Sequence, residues 1–230
     1  MKCMRILSHA AVLAPAILMT GCFFARPQET KYYVLDYAPT PPKERLEKGA
    51  YPFVMRMRDC NIAEAYRRSQ IVYRQSANQM QFYGYHLWAV DPDRMITDLT
   101  VKHLKASRLF QNVTRYVENY VPDFLLTCEI QAVEEYDSKE QWFAHLAVEY
   151  QLEDAKNNAI VWKKMFDLRK SVPQQEPVYV VRELSFLAET INERLTRELE
   201  VVLDETKYQI QFPPAPSAED ASDSASAAKP

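Results

Sequence analysis

Glycine is scarce in this sequence: the 230 residues contain only three, Gly21, Gly49 and Gly84. No two of these glycines lie close together, so the chain lacks the glycine-rich loops that bind phosphates and dinucleotides. It also lacks the G-x-S-x-G turn that presents the nucleophilic serine of many hydrolases. The sequence therefore excludes the nucleotide-binding and hydrolase sites that depend on closely spaced glycines.

An excess of positive charge is also missing. The chain has 28 Lys and Arg residues against 31 Asp and Glu residues, which gives a formal net charge of -3. Domains that bind nucleic acid usually carry a basic surface, so the composition offers no reason to expect a nucleic-acid partner. The hydrophobic fraction of 47% and the length suit one compact domain, or one domain with tails.

Candidate catalytic and metal-ligating residues are few. Beyond the first 21 residues the histidines are His86, His103 and His145, and none has metal-ligand spacing to another His or Cys. Glu134 and Glu135 are adjacent, so on a strand they point to opposite faces and cannot act as a facing carboxylate pair. We therefore predict no metal site, no cofactor and no enzymatic activity; a hydrolase is a remote alternative.

The amino-terminal segment has the pattern of an export signal. Lys2 and Arg5 precede an apolar run over 6–19, and the run ends in the sequence LMTGC at 18–22. A charged start followed by a short apolar stretch is typical of a secretory signal, and this stretch is too short for a comfortable membrane span. We predict a signal peptide over 1–21 whose removal leaves Cys22 as the first residue. The alternative is an ordinary secretory signal in which Cys22 is incidental.

Small residues just before Cys22 resemble the lipobox of bacterial lipoproteins. The resemblance implies a diacylglyceryl group on the Cys22 thiol, removal of the signal peptide and acylation of the new amino end. Several acyl chains anchor a protein stably, whereas one binds a membrane only marginally. The next residue is Phe23 rather than Asp, which in enteric-type sorting implies the outer membrane, with the protein facing the periplasm.

Two further cysteines, Cys60 and Cys128, remain in the mature chain. A periplasmic location permits a disulfide between them. However, Cys128 lies on the apolar face of a predicted strand, and cysteine often packs as a small apolar residue. The sequence therefore favours two buried free thiols and leaves the disulfide as the alternative.

Residues 22–30 are predicted to be a lipidated tether, 31–212 a single domain and 213–230 a disordered tail, because the tail lacks large apolar side chains. Strand composition and turn residues define the early elements. They are a strand at Lys31–Tyr37, a loop at Ala38–Gly49, a strand at Phe53–Asp59, a short helix at Ile62–Arg68 and a hairpin of Ile71–Gln75 with Met80–Tyr85.

The rest of the domain shows clear periodicities. Apolar residues alternate with polar ones through three segments, which predicts three long antiparallel strands sharing one buried face. Those residues are Phe124, Leu126, Cys128, Ile130 and Ala132; Trp142, Ala144, Leu146, Val148, Tyr150 and Leu152; and Ile160, Trp162, Phe166 and Leu168.

Three- and four-residue spacings predict amphipathic helices at Asp91–Ser107 and Val178–Asp204. Shorter strands are expected at Gln111–Glu118 and Tyr208–Phe212. The prediction is a mixed, largely antiparallel α/β (α+β) fold with two main helices on the sheet.

The order of these segments from Lys31 to about Phe212 resembles the ABC-type transport auxiliary lipoproteins, including the PqiC-like outer-membrane lipoproteins. The residues that carry the resemblance are Cys22, YYVLD at 32–36, IVYR at 71–74, YHLWA at 85–89 and LFQNV at 109–113. The resemblance implies a small periplasmic α/β domain that works beside transporters carrying a mammalian-cell-entry (MCE) domain.

Such a resemblance implies a non-catalytic part in moving phospholipids or other hydrophobic molecules between the inner and outer membranes. The implied partners are an MCE-domain protein that spans the periplasm and its inner-membrane transporter, with a homo-oligomeric ring as one form of assembly. Two alternatives remain open. One is a structural or pilot-type lipoprotein for a different envelope machine, and the other is a lipid carrier with its own cavity.

An aromatic segment supplies the candidate contact residues. Phe82, Tyr83, Tyr85 and Trp88 could meet a partner protein or a lipid, because aromatic side chains with a polar group are enriched at interfaces. The alternative is ordinary strand packing, with Trp88 the residue most expected in the core. Arg74 is a further candidate, since it could pair with an acidic group on a partner or on this chain.

Overall fold

The computed structural model describes residues 28–41, 49–116, 121–138 and 141–211. Among these residues, those from Tyr32 onward form one compact unit, which we call the body, and residues 28–31 belong to a separate unit. The predicted signal peptide, Cys22 and the predicted tail at 213–230 lie outside the described residues. Within the described part of the chain, neither helix is both long and apolar enough to cross a membrane.

The described residues form nine strands, two α-helices and one short 3-10 helix at Glu64–Tyr66. The strands are β1 (Lys31–Tyr33), β2 (Tyr51–Met57), β3 (Asn61–Ile62), β4 (Gln70–Ser76), β5 (Gln79–Trp88), β6 (Phe110–Thr114), β7 (Phe124–Asp137), β8 (Trp142–Asp154) and β9 (Ile160–Ser171). The helices are α1 (Pro92–Ser107) and α2 (Pro177–Gln211).

Strand β7 organises the whole sheet. Along one edge it pairs with β8 in antiparallel fashion, and β8 pairs in turn with β9. Along its other edge it meets β2, β3 and β4 one after another, all in parallel. Strand β5 follows β4 and β1 follows β5, while β6 lies beyond β2. The predicted mixed sheet with two helices is confirmed.

One register shift changes the predicted face of β7. Ile130 is opposite Val148, but Ala132 is opposite Ala147 and Val133 is opposite Leu146. An extra residue in β7 is a β-bulge, and it reverses which residues face each side from that point. Val133 rather than Ala132 therefore shares the face of Ile130, so the prediction for Ala132 was wrong.

Both helices cover the same face of the sheet. The predicted apolar stripe of α2 is buried from Val181 to Leu199, and the predicted face of α1 is buried as well. Tyr150, on the helix-facing side of β8, hydrogen-bonds Thr100 of α1 at 2.8 Å. Lys170 of β9 pairs with Glu183 of α2 at 3.1 Å. The apolar stripes thus find the sheet face that the strand pattern predicted.

Several predicted boundaries were wrong. Strand β1 ends at Tyr33 instead of Tyr37, and the helix predicted at Ile62–Arg68 is only the 3-10 turn. Helix α2 continues to Gln211, where the sequence predicted the start of a strand at Tyr208. Ile160 is exposed because the register shifts between Leu152 and Glu153. At Lys31–Tyr37 and Ile62–Arg68 the local pattern was short, so packing decided the outcome.

Cys60 and Cys128 form a disulfide, so the favoured interpretation of two free thiols was wrong. Strand β3 runs parallel to β7 with Asn61 opposite Glu129, which places the preceding residue, Cys60, beside Cys128. Their Cα atoms are 4.7 Å apart, within the range that a disulfide spans. The Cys60 N–H also donates to Thr97 Oγ1 of α1 at 3.0 Å. Cys60, which directly precedes β3, is thus connected to β7 by the disulfide and to α1 by the hydrogen bond.

Candidate functional site

The predicted contact residues lie on the β4–β5 hairpin and on its border with β7. The hairpin itself was predicted correctly, with β4 and β5 paired in antiparallel fashion. Strand β4 joins β7 through the pairs Tyr73–Glu135 and Arg74–Tyr136. This connection brings the hairpin side chains to Glu134 and Glu135, which lie on opposite faces of β7 as the sequence predicted.

Arg74 pairs with an acidic group of its own chain. Its Nε donates to both carboxylate oxygens of Glu134, at 2.9 and 3.1 Å, and one of its terminal nitrogens donates to the Tyr66 hydroxyl at 2.9 Å. Another donates to the carbonyl of Ala77 in the hairpin turn at 3.1 Å. Arg74 is therefore committed to holding the hairpin against β7.

Glu134 is almost fully buried, at 2% exposure, and is surrounded by donors. The Tyr66 hydroxyl donates to it at 2.6 Å, and His145 Nδ1 lies 3.0 Å from its Oε1. Burial by itself would raise the pKa of Glu134, but the hydrogen bonds from His145, Tyr66 and Arg74 outweigh it and lower the pKa. Both oxygens of this carboxylate are occupied by groups of the protein itself.

His145 extends the network to β9, because its Nε2 lies 2.9 Å from Asp167 Oδ1. The chain of contacts runs from Arg74 through Glu134 and His145 to Asp167, across four strands. We refer to Tyr66, Arg74, Glu134, His145 and Asp167 as the buried polar network. Such a network fixes the relative positions of its strands, which is a structural task.

Tyr83 and Glu135 form a second cluster on the other face of β7. The Tyr83 hydroxyl donates to Glu135 Oε2 at 3.0 Å. Its ring lies between Tyr73 and His86, with centroid distances of 4.8 and 5.2 Å, and His86 Nδ1 shares a 2.7 Å hydrogen bond with the Tyr33 hydroxyl. This candidate contact residue is therefore half-buried and engaged within the chain.

Glu135 is 1% exposed, and its environment favours the protonated form. Burial raises its pKa to about 7, Tyr83 opposes this rise, and the neighbouring Asp137 adds to it. The native state therefore holds a proton that the unfolded state releases between the ordinary Glu value of 4.5 and about 7. The stability of the protein should consequently fall as the pH rises through this window.

Replacing Glu135 by Gln should remove this pH dependence. The variant keeps an acceptor for Tyr83 but cannot ionise, so its stability relative to the wild type should grow by about 2 to 3 kcal/mol between pH 5 and pH 8. Urea unfolding of both proteins at the two pH values measures the difference. Glu129→Gln, at an exposed position of the same strand, is the matched control. A constant difference between Glu135→Gln and the wild type would contradict the assignment.

The other aromatic candidates divide into buried and exposed residues. Trp88 is 4% exposed and belongs to the core, whereas Phe82 and Tyr85 are 42% and 44% exposed. The guanidinium of Arg68 lies over the Phe82 ring, 3.7 Å from its centroid. Of the predicted contact residues, only Phe82 and Tyr85 present a large part of their rings to the outside, and Cys22 lies outside the described residues.

The segment after Tyr33 was predicted to continue the strand but contacts both helices instead. The residues after β1 cross between the two helices: the Leu35 N–H contacts Met95 Sδ and the Asp36 N–H donates to Ser185 Oγ at 3.2 Å. The Tyr37 hydroxyl accepts from Asn192 Nδ2 at 2.8 Å and lies 3.2 Å from His103 Nδ1. The available signal was a polar residue, such as Asn192, within an otherwise apolar helix stripe.

Metal-ligating residues do not cluster in the part of the chain that the structure describes: no three His, Cys, Asp or Glu side chains stand close enough to hold an ion. His103, for example, is buried beneath Tyr37, and burial lowers its pKa to about 4. The neutral ring serves there as a packing and hydrogen-bonding group.

The family can be assigned from sequence. The sequence model of the ABC-type transport auxiliary lipoprotein component matches residues 33–200, which include the hairpin, the buried polar network, α1 and most of α2. The chain belongs to this family. The family resemblance drawn from YYVLD, IVYR and the later motifs is thus confirmed. No curated protein sequence matches the chain.

Solved structures support the same fold for this auxiliary lipoprotein. The chain is similar to protein XCC0632 from Xanthomonas campestris, with a TM-score of 0.69 and 14% identity over 77% of this chain and 99% of that one. It is also similar to an uncharacterized protein, with a TM-score of 0.59 and 14% identity over 75% and 99% of the two chains. At this level of identity, the comparison establishes the fold alone.

Proposed function

We propose that this auxiliary lipoprotein is anchored by acyl chains on Cys22 to the inner leaflet of the outer membrane and faces the periplasm. There it acts without catalysis in an ABC/MCE-type system that moves lipids or other hydrophobic molecules between the two membranes. The observation that carries the proposal is the family match over 33–200, together with the LMTGC sequence that precedes it.

The disulfide is independent support for an envelope location. Disulfides persist in oxidising compartments such as the periplasm and are rare in the cytosol. Cys60 and Cys128 are also both buried, so their bond is part of the folded core. A protein that depends on such a bond fits export by the predicted signal peptide.

The proposed mechanism is positional. The lipid anchor would keep the folded body at the outer membrane, where it binds the distal end of an MCE-domain protein and holds the exit of a hydrophobic conduit against the bilayer. The internal contacts agree with this task, because the buried polar network uses its charged groups to fasten four strands. A fully satisfied buried network makes the strands that it connects more rigid.

Replacing Cys22 by Ser should release the protein from membranes. The variant loses the thiol that carries the diacylglyceryl group, and without acyl chains the body has no stable hold on the bilayer. Fractionation of native-host cells should move the protein from the membrane pellet to the soluble fraction, and lipid transport should be lost. Circular dichroism and thermal unfolding of the mature domain should be unchanged.

A second cysteine variant provides the control for this experiment. The double variant Cys60→Ala/Cys128→Ala removes the other two cysteines of the mature chain together and keeps Cys22, so membrane attachment should persist although the disulfide is lost. Intact-mass analysis of the native protein should show a mature chain beginning at an acylated Cys22. A membrane-bound and active Cys22→Ser protein, or an unacylated native terminus, would refute the proposed function.

The pilot-type alternative shares the anchor and the fold but has a different partner. Photo-crosslinkers placed at exposed positions such as Tyr116, Phe186 and Val201 should capture the neighbouring protein in living cells. An MCE-domain protein supports the transport proposal, and a component of another outer-membrane machine supports the pilot.

The lipid-carrier alternative has less support from the structure. A groove of about 240 Å³ between β9 and α2 is lined by several charged residues, among them Lys164, Arg194, Arg197 and Glu198. An acyl chain requires a mostly apolar lining, and in this groove only Met165, Phe166 and Leu168 are apolar. Native mass spectrometry of the delipidated domain tests the point, because a carrier would retain bound lipid and a docking module would not.

A further inference from the structure

Exposed apolar side chains concentrate at one margin of the sheet. Five of the large exposed ones lie on β1, on β5 or within two residues after these strands, and we call them the β1–β5 margin. They are Tyr32, Val34, Phe82, Tyr85 and Val90. Strand β1 is at the end of the sheet, next to β5. The Ala89 N–H donates to the Tyr33 carbonyl at 2.8 Å, which brings the ends of the two strands together, and grouped exposed apolar residues often mark an interaction surface.

A cation accompanies this margin. The Arg68 guanidinium lies over the exposed ring of Phe82, and its Nε is buried without a hydrogen-bond partner. Among the described residues, Arg68 forms no ion pair with a carboxylate. A guanidinium binds phosphate oxygens well, so the margin combines aromatic rings with a cation that pairs with no carboxylate in the described part of the chain.

The position of the margin along the chain identifies what lies next to it. The body begins at Tyr32, which is itself part of the margin. Only nine residues lead from Cys22 to Lys31, and an extended chain of that length spans at most about 30 Å. An anchor at Cys22 would therefore keep the β1–β5 margin within that distance of the lipid headgroups.

We propose that the β1–β5 margin rests on the phospholipid bilayer to which the protein is anchored. This inference relies on the proposed acylation of Cys22. Tyr rings are suited to the membrane–water boundary, because the ring is apolar and its hydroxyl can stay hydrated, and Phe82 adds exposed apolar area. Arg68 would bind a headgroup phosphate beside Phe82.

The tether explains why a small surface is sufficient. A tethered group experiences an effective concentration of its target on the order of millimolar, so a contact too weak to recruit a free protein still orients an anchored one. The path of the sheet then runs from β1 through β5, β4, β7 and β8 to β9. With β1 at the bilayer, β9 is at the far end of the sheet, where a protein partner approaching through the periplasm can reach it.

The experiment uses the acylated mature protein in vesicles of phosphatidylethanolamine and phosphatidylglycerol. A single cysteine at Tyr85→Cys or at Ile160→Cys carries an environment-sensitive nitrobenzoxadiazole label, while the Cys60–Cys128 disulfide stays closed. Ile160 is the matched control because it is an exposed apolar residue of β9, at the opposite end of the sheet. Nitroxide-labelled lipids then report how close each label lies to the bilayer.

We expect at least about twofold stronger quenching at position 85 than at position 160, as for a group within the interface. Adding Phe82→Ser and Arg68→Gln to the Tyr85→Cys protein should reduce this quenching while membrane attachment persists. Equal quenching at the two positions, or no quenching at position 85, overturns the inference. So does the capture of a protein instead of lipid by a photo-crosslinker at position 85 in cells.

The mass of the reconstituted protein separates this inference from the proposed function. An acylated protein with an unquenched label at position 85 overturns the orientation and leaves the lipoprotein assignment intact. An unacylated native terminus overturns both.

Discussion

Removal of the Cys60–Cys128 disulfide should lower the free energy of unfolding by about 4 kcal/mol. The two residues are separated by 68 positions, so the bond closes a long loop and restricts the unfolded chain strongly. The chain-entropy relation for a loop of this length sets the expected magnitude. For a domain of this size, the loss corresponds to a melting temperature lower by about 10 °C.

The double variant Cys60→Ala/Cys128→Ala, unfolded in urea without reductant, measures the effect. Wild-type protein in reductant should approach the stability of the variant, and the variant itself should be insensitive to reductant. The m-value should rise when the bond is absent, because the unfolded chain then expands further. Equal midpoints for the oxidised wild type and the double variant would contradict a stabilising disulfide.

Replacement of Arg74 by Met should destabilise the protein by about 3 kcal/mol at neutral pH. Met keeps most of the side-chain volume, but Glu134 then stays buried without its cation. Tyr66 and His145 still contact the carboxylate, but the permanently charged guanidinium is lost. Removing one member of a buried ion pair is costly because the other charge is left uncompensated.

The companion variant Glu134→Gln is expected to cost less, because Arg74 is partly exposed and water can reach its guanidinium. In the double variant Arg74→Met/Glu134→Gln, most of the lost stability should return, since no charge remains buried. Arg67→Met is the matched control: Arg67 pairs with Glu64 at an exposed site, where an ion pair contributes little. Similar stabilities of Arg74→Met and Arg67→Met would refute the importance of the buried polar network.

The low pKa of Glu134 adds a pH dependence to this prediction. A carboxyl group whose pKa is lowered on folding stabilises the protein above its ordinary value of 4.5, and the contribution is lost as the pH falls through the folded pKa. Glu135, on the opposite face of β7, acts in the reverse direction and destabilises the protein as the pH rises toward 7. The two adjacent glutamates of β7 thus have opposite effects on how stability depends on pH, because Glu134 is paired with Arg74 and Glu135 has no such cation among its described contacts.

The long periodic segments were the predictable part of the fold. Alternation from Ala144 to Leu152 and the helical spacing from Val181 to Leu199 describe faces that are buried in the structure. Both patterns extend over many residues, so no single packing detail could reverse them. The bulge after Ile130 leaves no comparable pattern in the sequence, because apolar residues stand on both sides of the inserted position and the alternation looks unbroken.

The candidate site was predictable only in its composition. Arg74 and Glu134 are 60 residues apart in the sequence, and their contact depends on the parallel pairing of β4 with β7. The same limit applies to YYVLD at 32–36, where aromatic and branched residues favour a strand but contacts with Met95 and Ser185 place the segment between the helices. Tertiary packing overrides a local preference in so short a segment.

Sequence alone determined the export signal prediction, the fold class, the two helix faces and the family, because each depends on patterns that are local or that recur along the chain. Only the tertiary structure showed that Cys60 and Cys128 are bonded, that the pKa values of the two adjacent glutamates shift in opposite directions, and which aromatic rings remain exposed. These outcomes depend on register between strands that are distant in the sequence, where a shift of one residue exchanges the buried and exposed faces.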